Sequence, residues 1–341
     1  MEIKAQKTAL VTGSAGFIGF HLSQKLIDEG WRVVGLDCMS DYYDVSLKER
    51  RESILLQNIS YKSIHEKVET PTVLMDLFEA ERPDVVIHLA AQAGVRYSIE
   101  NPRAYLESNI NGTFELLEAA RAYPPKHMLL ASTSSAYGAN KEMPYKETVK
   151  ADTQMSFYAA TKKSTENMAH SYAHLFDLPI TMFRFFTVYG PWGRPDMALF
   201  KFTKAILNGE EIDVYNNGDM SRDFTYIDDL VTSINRLIDC KPKPYENRVD
   251  DVNDSASPIA PFRIVNIGNS EPKRLEDFIS ALENSLGKRA IKNYLPMQAG
   301  DVPATWADTS LLTNLTDYKP DTQIEDGIQQ FVNWYINYYR D

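Results

Sequence analysis

Short apolar runs alternate with amphipathic stretches through the first half of the chain. Thr8 to Thr12, Arg32 to Asp37, Asp84 to Ala90 and His127 to Ser132 are nearly unbroken apolar runs. Phe17 to Glu29 and Asn109 to Ala122, lying between them, carry apolar residues at helical spacing. Strands that are apolar on both sides belong to a parallel sheet covered by helices on both faces, where neither side meets water. The pattern therefore predicts an α/β fold with a doubly wound parallel sheet. After Phe183 the rhythm breaks into RFFTVYGPWGRPD, two further helical stretches and a polar, proline-bearing segment, Lys241 to Pro261, that reads as a surface excursion. AGDVPATWADTSLL and a helix rich in Tyr and Trp follow. These features predict a first unit over residues 1–183 and a smaller C-terminal α/β unit over 184–341. Segments near 184–190 and 224–268 are expected to return to the first unit's sheet.

Composition narrows the partners. With 43% hydrophobic residues among 341, the chain can bury a large core. A formal net charge of −11 repels nucleic acid and anionic membrane surfaces, whereas a small anion can still be held by a few local cations. Two cysteines, Cys38 and Cys240, without ligand spacing point to neither a disulfide framework nor a zinc site. The polar MEIKAQK leads straight into TALVTG, so no secretory leader is expected, and no run approaches the ~20 apolar residues of a membrane span. The expected setting is the reducing cytoplasm.

The first chemical signal is TGSAGFIG, in which Gly13, Gly16 and Gly19 follow one predicted strand and open a helix. The first glycine permits the tight turn, the second admits a pyrophosphate against the backbone, and the third lets helix and strand pack closely. The helix start at Phe17 and Ile18 then turns unpaired N–H groups toward the phosphates. Asp37 ends the next strand, where a carboxylate accepts the adenosine ribose hydroxyls and repels a 2′-phosphate, so NAD is favoured over NADP. The alternative is a strand-to-helix turn without a ligand.

The second signal is SFYAATKKSTENMAHSYAHLF. Tyr158 and Lys162 are four residues apart and share a helix face. A phenol ionises near pKa ~10, so acting as a base near neutrality requires a cationic neighbour, which Lys162 and an oxidised nicotinamide ring can supply. YxxxK on its own is a common exposed helix face, and its position downstream of a dinucleotide loop is what raises it. The strand HMLLAS runs into Thr133, Ser134 and Ser135, hydroxyls at the carboxyl end of a parallel strand, where α/β sheets bind ligands.

TGxxGxxG, a hydroxyl-rich strand end and YxxxK, in that order, resemble the extended short-chain dehydrogenase/reductase superfamily across essentially the whole chain. DYYDVSLKERR, HLAAQAGVRYS, ASTSSAYG, RFFTVYGPWGRPDMA and GDMSRDFTYIDD narrow the resemblance to the UDP-glucuronate 4-epimerases. It implies a Rossmann domain and a smaller nucleotide-sugar-binding domain, with Thr133, Tyr158 and Lys162 as the catalytic triad. Leu89, Ala90 and Ala91 of the HLAA segment, together with Asn109, would line the cofactor. Arg222 would meet the diphosphate and Asp301 the uridine ribose, while Val214 and Tyr215, from the strand Ile212 to Tyr215, would lie on the uracil side. Relatives carry an Asp and an aliphatic residue after the third strand, at the adenine. Here Lys67 and Val68 stand in that place, unless the register through IHEKVETPTVLMD is shifted.

The implied reaction removes hydride from C4 and the proton from the C4 hydroxyl, turns the 4-keto sugar over and returns the hydride to its other face, so that NAD is regenerated in every cycle and stays bound. A C4 ketone beside the C5 carboxylate is a β-keto acid prone to lose carbon dioxide. Ser134, Ser135, Thr187 and Arg194 are the candidates to hold that carboxylate, Arg because its guanidinium can bind bidentately. Related dehydratases and decarboxylases place acids where Ser134 and Ser135 stand. The rival inside the superfamily is an epimerase of UDP-glucose and UDP-galactose, or of N-acetylated sugars, although those relatives carry Asn where Thr187 lies. The rival of a different functional class is a non-catalytic NAD(H)-sensing binding protein on the same scaffold, against which an intact Thr133, Tyr158 and Lys162 argue.

His170 and His174 have i, i+4 spacing, but HSYAH lacks the Glu of a zinc protease, so packing roles are expected and no metal. Tyr335, Tyr338 and Tyr339 read as core in preference to a partner surface. The resemblance further implies a homodimer formed through the YxxxK helix and the helix before it.

Overall fold

The computed structural model describes residues 6–243, 254–298 and 301–339. Seven parallel strands form the central sheet: β1 (Thr8–Thr12), β2 (Arg32–Leu36), β3 (Tyr61–Ile64), β4 (Val85–His88), β5 (His127–Ala131), β6 (Ile180–Phe185) and β7 (Phe262–Ile267), in the order β7-β6-β5-β4-β1-β2-β3. Side chains alternate between two cores. Ala9, Val11, Ile87 and Leu129 pack on one face, and Leu10, Val86, Met128 and Leu130 on the other. Both faces are covered, so the unbroken apolar runs have the predicted origin, and the fold is a Rossmann-type doubly wound sheet. β1 neighbours both β2 and β4, and the chain reverses direction across the sheet at the β1–β4 gap, where such sheets bind ligands.

The second half adds two small sheets. Thr187–Tyr189, Ser221–Tyr226 and Pro272–Arg274 form one, and Glu211–Val214 pairs in parallel with Ile291–Tyr294 in the other. The expected return to the large sheet is thus corrected in detail. It is made by Phe262–Ile267, and by β6 continuing to Phe185, whereas Thr187–Tyr189 and Ser221–Tyr226 pair with each other. Residues 244–253 of the expected surface excursion lie outside the described residues. The helix expected from Asn109 begins as a wide turn of π-helix, Leu106–Asn111, before Gly112–Ala122.

The C-terminal helix Ile324–Tyr339 brings Tyr335 and Tyr338 into an aromatic cluster with Trp334, Phe200 and Trp192, while Tyr339 stays partly exposed at its edge. His170 Nε2 bonds Ser257 Oγ and His174 Nδ1 bonds the Ile259 carbonyl, so both histidines fasten the approach to β7. Among the described residues no helix is long and apolar enough to cross a membrane.

Candidate active site

The turn after β1 is built for a close approach. Gly13 has φ +72°, and a Cβ on it would lie 2.9 Å from the Ala90 nitrogen, beyond the end of β4. At Gly19 a Cβ would lie 2.0 Å from the Gly13 carbonyl, so the helix Phe17–Asp28 can start only because this position is bare. Gly16 caps that helix without a side-chain acceptor, and its first N–H groups are left for a ligand. Asp37 fixes the turn from the side: its Oδ2 accepts from Ala15 N at 3.0 Å and its Oδ1 from Met39 N at 2.9 Å. Thr12 and His88 join the tips of β1 and β4 through a 2.8 Å contact between Oγ1 and Nδ1. Gly13, Gly16, Phe17, Ile18, Gly19 and Asp37 line one cleft with Leu89, Ala90 and Ala91, and its cavity volume is about 520 Å³. A bare glycine cradle, an uncapped helix start and a carboxylate at the second strand's end are what a dinucleotide diphosphate and ribose require, so the residues fit NAD.

The side chains expected to be catalytic, Thr133 beyond β5 and Tyr158 and Lys162 on a helix, line the same cleft. Ser156 accepts from Ala159 N at 3.1 Å and starts the 20-residue helix Phe157–Phe176, whose first turns carry Tyr158 and Lys162. Thr133, directly beyond β5, hydrogen-bonds the Tyr158 phenol and accepts from Ser135 N at 3.2 Å. Burial pushes the Tyr158 phenol up, while the Thr133 hydrogen bond and the Arg194 charge pull it back. A cation acting on Tyr158 is thus Arg194, in addition to the Lys162 expected in that part. Burial brings the Lys162 ammonium down to about 8, against the opposing pull of Glu166.

Asn109 is also corrected. It is buried outside the cleft wall, and its carboxamide is engaged with both the N–H and the carbonyl of Gln92 and with Thr161 Oγ1 at 3.0 Å. It braces the wall and the helix behind the cofactor cleft, and it does not face the cleft itself.

Ser134, Ser135, Thr187 and Arg194 line the far end of the cleft, as do Arg222 and Asp301. Arg194 is held bidentately by Asp196, at 2.9 and 2.6 Å, and Arg222 donates to Asp301 at 2.7 Å. Val214 and Tyr215 are not in the wall: the Val214 side chain is fully buried and the Tyr215 ring lies 5.0 Å beneath the Arg96 guanidinium.

After β3, Lys67 is exposed and Val68 is buried in the cleft wall, with Glu66 and Glu69 lining the cleft on either side. Carboxylates are therefore present on both sides of the expected Lys67–Val68 pair, at Glu66 and Glu69. Lys48 was also missed. It is buried, bonds the Ser40 carbonyl and hydroxyl at 2.8 and 2.9 Å, and lines the cleft, as do Tyr42 and Tyr43. Its signal lay in DYYDVSLKERR, a stretch running into the helix Val45–Leu55, which buries Lys48, Arg51 and Glu52 and so has no apolar stripe to mark its inward face. Among the described residues no group of three His, Cys, Asp or Glu is placed to hold a metal ion.

Comparison with known proteins places this geometry. The model of the NAD dependent epimerase/dehydratase family matches residues 9–247. A probable UDP-glucuronate 4-epimerase of Rhizobium meliloti is 56% identical over 333 residues, covering 97% of each chain. The crystal structure of UDP-glucuronic acid 4-epimerase from Bacillus cereus, in complex with UDP-glucuronic acid and NAD, superposes with a TM-score of 0.87 at 35% identity, over 97% of this chain and 100% of that one. A UDP-glucose 4-epimerase of Thermotoga maritima with UDP-glucose superposes with a TM-score of 0.82 at 28% identity, over 97% and 99%.

Proposed function

The chain belongs to the NAD dependent epimerase/dehydratase family, and from that membership we propose that it interconverts UDP-glucuronate and UDP-galacturonate by epimerisation at C4. The observation that carries the reading is one cleft lined by the glycine cradle, by Thr133, Tyr158 and Lys162, and by the hydroxyls of Ser134, Ser135 and Thr187. A relative 56% identical and a substrate complex of TM-score 0.87, both of UDP-glucuronate 4-epimerases, support the choice of sugar.

NAD, bound at the cradle, supplies reversible hydride uptake and return at C4. The protein's own part is proton transfer and restraint. Tyr158 takes the C4 hydroxyl proton and gives it back, with the Thr133 hydroxyl steadying the phenol and the sugar oxygen. Arg194 and Lys162 supply positive charge around them. Arg222 serves the diphosphate and Asp301 the uridine ribose, so on this reading their mutual ion pair loosens when substrate enters.

The transient 4-keto uronate would lose carbon dioxide if its carboxylate lay out of the sugar plane, aligned with the ketone. Ser134, Ser135 and Thr187 hold the carboxylate away from that alignment, with Arg194 nearby, and neither 134 nor 135 offers an acid to assist the loss. The division of labour follows: residues up to 183 carry cofactor and catalysis, and residues 184–341 carry most of the sugar-nucleotide contacts.

We assign the protein to the cytoplasm, supplying a uronate donor for polysaccharide. We also propose a homodimer, on the evidence of Phe114 on one helix and of Phe157 and Leu175 on the next, all exposed and apolar. The test is a product-resolved assay on UDP-glucuronate and UDP-glucose. UDP-galacturonate from the first, with little UDP-galactose from the second, is expected. A pentose product, or epimerisation of UDP-glucose alone, refutes the assignment.

A further inference from the structure

Behind the cleft, one carboxylate joins three segments that the reaction needs in register. Glu166 is 1% exposed and both of its oxygens are fully engaged. Oε1 accepts from Ser132 Oγ at 2.6 Å and from Arg184 Nε at 2.8 Å, and Oε2 accepts from Arg184 Nη2 at 2.8 Å and from Lys163 Nζ at 2.9 Å. Ser132 lies at the end of β5, one residue before Thr133. Arg184 lies on β6, and its guanidinium rests 4.4 Å over the Tyr137 ring. Glu166 itself sits one helical turn beyond Lys162, as Lys162 sits one turn beyond Tyr158.

Glu166 does not line the cleft and cannot touch substrate. A buried ion pair is also a poor way to stabilise a fold, because the desolvation of both charges offsets most of their attraction. Its placement makes better sense through its neighbours. We propose that Glu166 is a positioning residue for the epimerisation: its carboxylate ties the strand end bearing Thr133 to the helix bearing Tyr158 and Lys162, and keeps negative charge beside the Lys162 ammonium.

The charged and titratable groups around this pair come from every packed element. His88 approaches Lys162 from β4 and is held neutral by burial and by the Lys162 charge. Tyr105 faces Tyr158 edge-on at 5.9 Å, and Arg194 acts on Tyr158 from the loop across the cleft. Arg184 and Lys163 share the Glu166 carboxylate. Within this set Glu166 is the anion that opposes the burial of Lys162, and it is held well below its ordinary range, at about 2, despite burial, by Arg184, Lys163 and Ser132. Replacing it with a neutral amide leaves Lys162, Lys163 and Arg184 facing one another, so Lys162 gives up its proton at lower pH.

The inference rests on the epimerase reading, and turnover of UDP-glucuronate by the unaltered protein is measured first, so that failure of that reading is seen separately. Glu166→Gln should keep its bound NAD and a KM close to the parent's. Its kcat at pH 7.5 should fall about tenfold or more, with the alkaline limb of the kcat profile moved down by about one pH unit. Glu166→Asp should restore the limb while kcat stays reduced. Because Glu166→Gln strands the buried Arg184, the paired variant Glu166→Gln/Arg184→Met removes both charges and should show the same direction of shift. Ser132→Ala leaves every charge in place and cuts the tether; because Ser132 also borders the cleft, KM is read beside kcat, and kcat should fall about fivefold with KM and the pH profile unmoved. A pH profile for the Gln variants that superimposes on the parent's, or a loss of activity traced wholly to lost NAD or raised KM, overturns the charge role. Full kcat in Ser132→Ala overturns the tether, and this variant decides the proposal if neither Gln variant folds.

Discussion

At the scale of single residues, the site works by opposing burial with a few well-placed partners. Tyr158 lies in a wall that disfavours its phenolate, and the Thr133 hydroxyl and Arg194 guanidinium oppose that cost. Removing the phenol oxygen should therefore stop proton transfer without disturbing the cradle. Tyr158→Phe is expected to purify with its NAD, seen by absorbance, and to lose roughly 10²–10⁴-fold in kcat. Retained activity would show that Tyr158 is not the base. Lys162, brought down to about 8 by burial, gives the pH dependence its sign: the ammonium is present below that value and lost above it, so kcat should decline as pH rises through about 8. A flat profile to pH 10 would contradict the role given to its charge. Tyr158 and Lys162 were legible in the sequence because helical spacing is local. Arg194's action on Tyr158 was not, because only the closure of RFFTVYGPWGRPD over the sheet brings the two together. Asn109 was placed in the right neighbourhood with the wrong partner, since a carboxamide that braces and one that binds look alike in sequence.

At the scale of elements, the strand-turn-helix after β1 is the most constrained piece of the chain. A Cβ at Gly19 would lie 2.0 Å from the Gly13 carbonyl and 2.9 Å from the Ser14 Cα, both of them backbone that cannot step aside. Gly19→Ala should unseat the helix Phe17–Asp28 from the turn and release most of the bound NAD, read as lost cofactor absorbance and a lower melting temperature. An NAD content equal to the parent's would show that the cradle tolerates reshaping. This element could be read in advance because glycine spacing, an apolar strand and a following helix all report the same turn. The later elements were harder. Phe262–Ile267 reaches the large sheet only by pairing with Ile180–Phe185, a contact distant in sequence that local patterning does not encode. Beyond β3 the chain leaves the strand, so period-two spacing no longer tells which side chains face the cleft, and the acids that do, Glu66 and Glu69, flank the Lys67–Val68 pair on which the expectation fell.

At the scale of the whole molecule, three histidines held low by burial shape how the fold responds to acid. Burial holds His88 at about 3 and both His21 and His127 at about 4, all well under 6.5, so the unfolded chain takes up protons that the native state refuses. Stability should fall as pH drops from 6.5 toward 4. Glu147 works in the opposite direction. Burial raises it to about 7, so it gains protons in the native state as pH falls from 7 toward 4.5, but it stands against three histidines. The midpoint of urea unfolding should therefore be lower at pH 5 than at pH 7.5, and an unchanged or higher midpoint would contradict this balance.

The molecule as a whole works as one machine if the same cleft oxidises C4 and restores it without exchanging its cofactor. The most direct measurement is turnover of UDP-glucuronate carrying deuterium at C4, followed by NMR or mass analysis of the UDP-galacturonate formed. The account predicts that the label stays at C4 of the product and that none enters from solvent at C4 or C5. Loss of the label to water, or its appearance at another carbon, would contradict it.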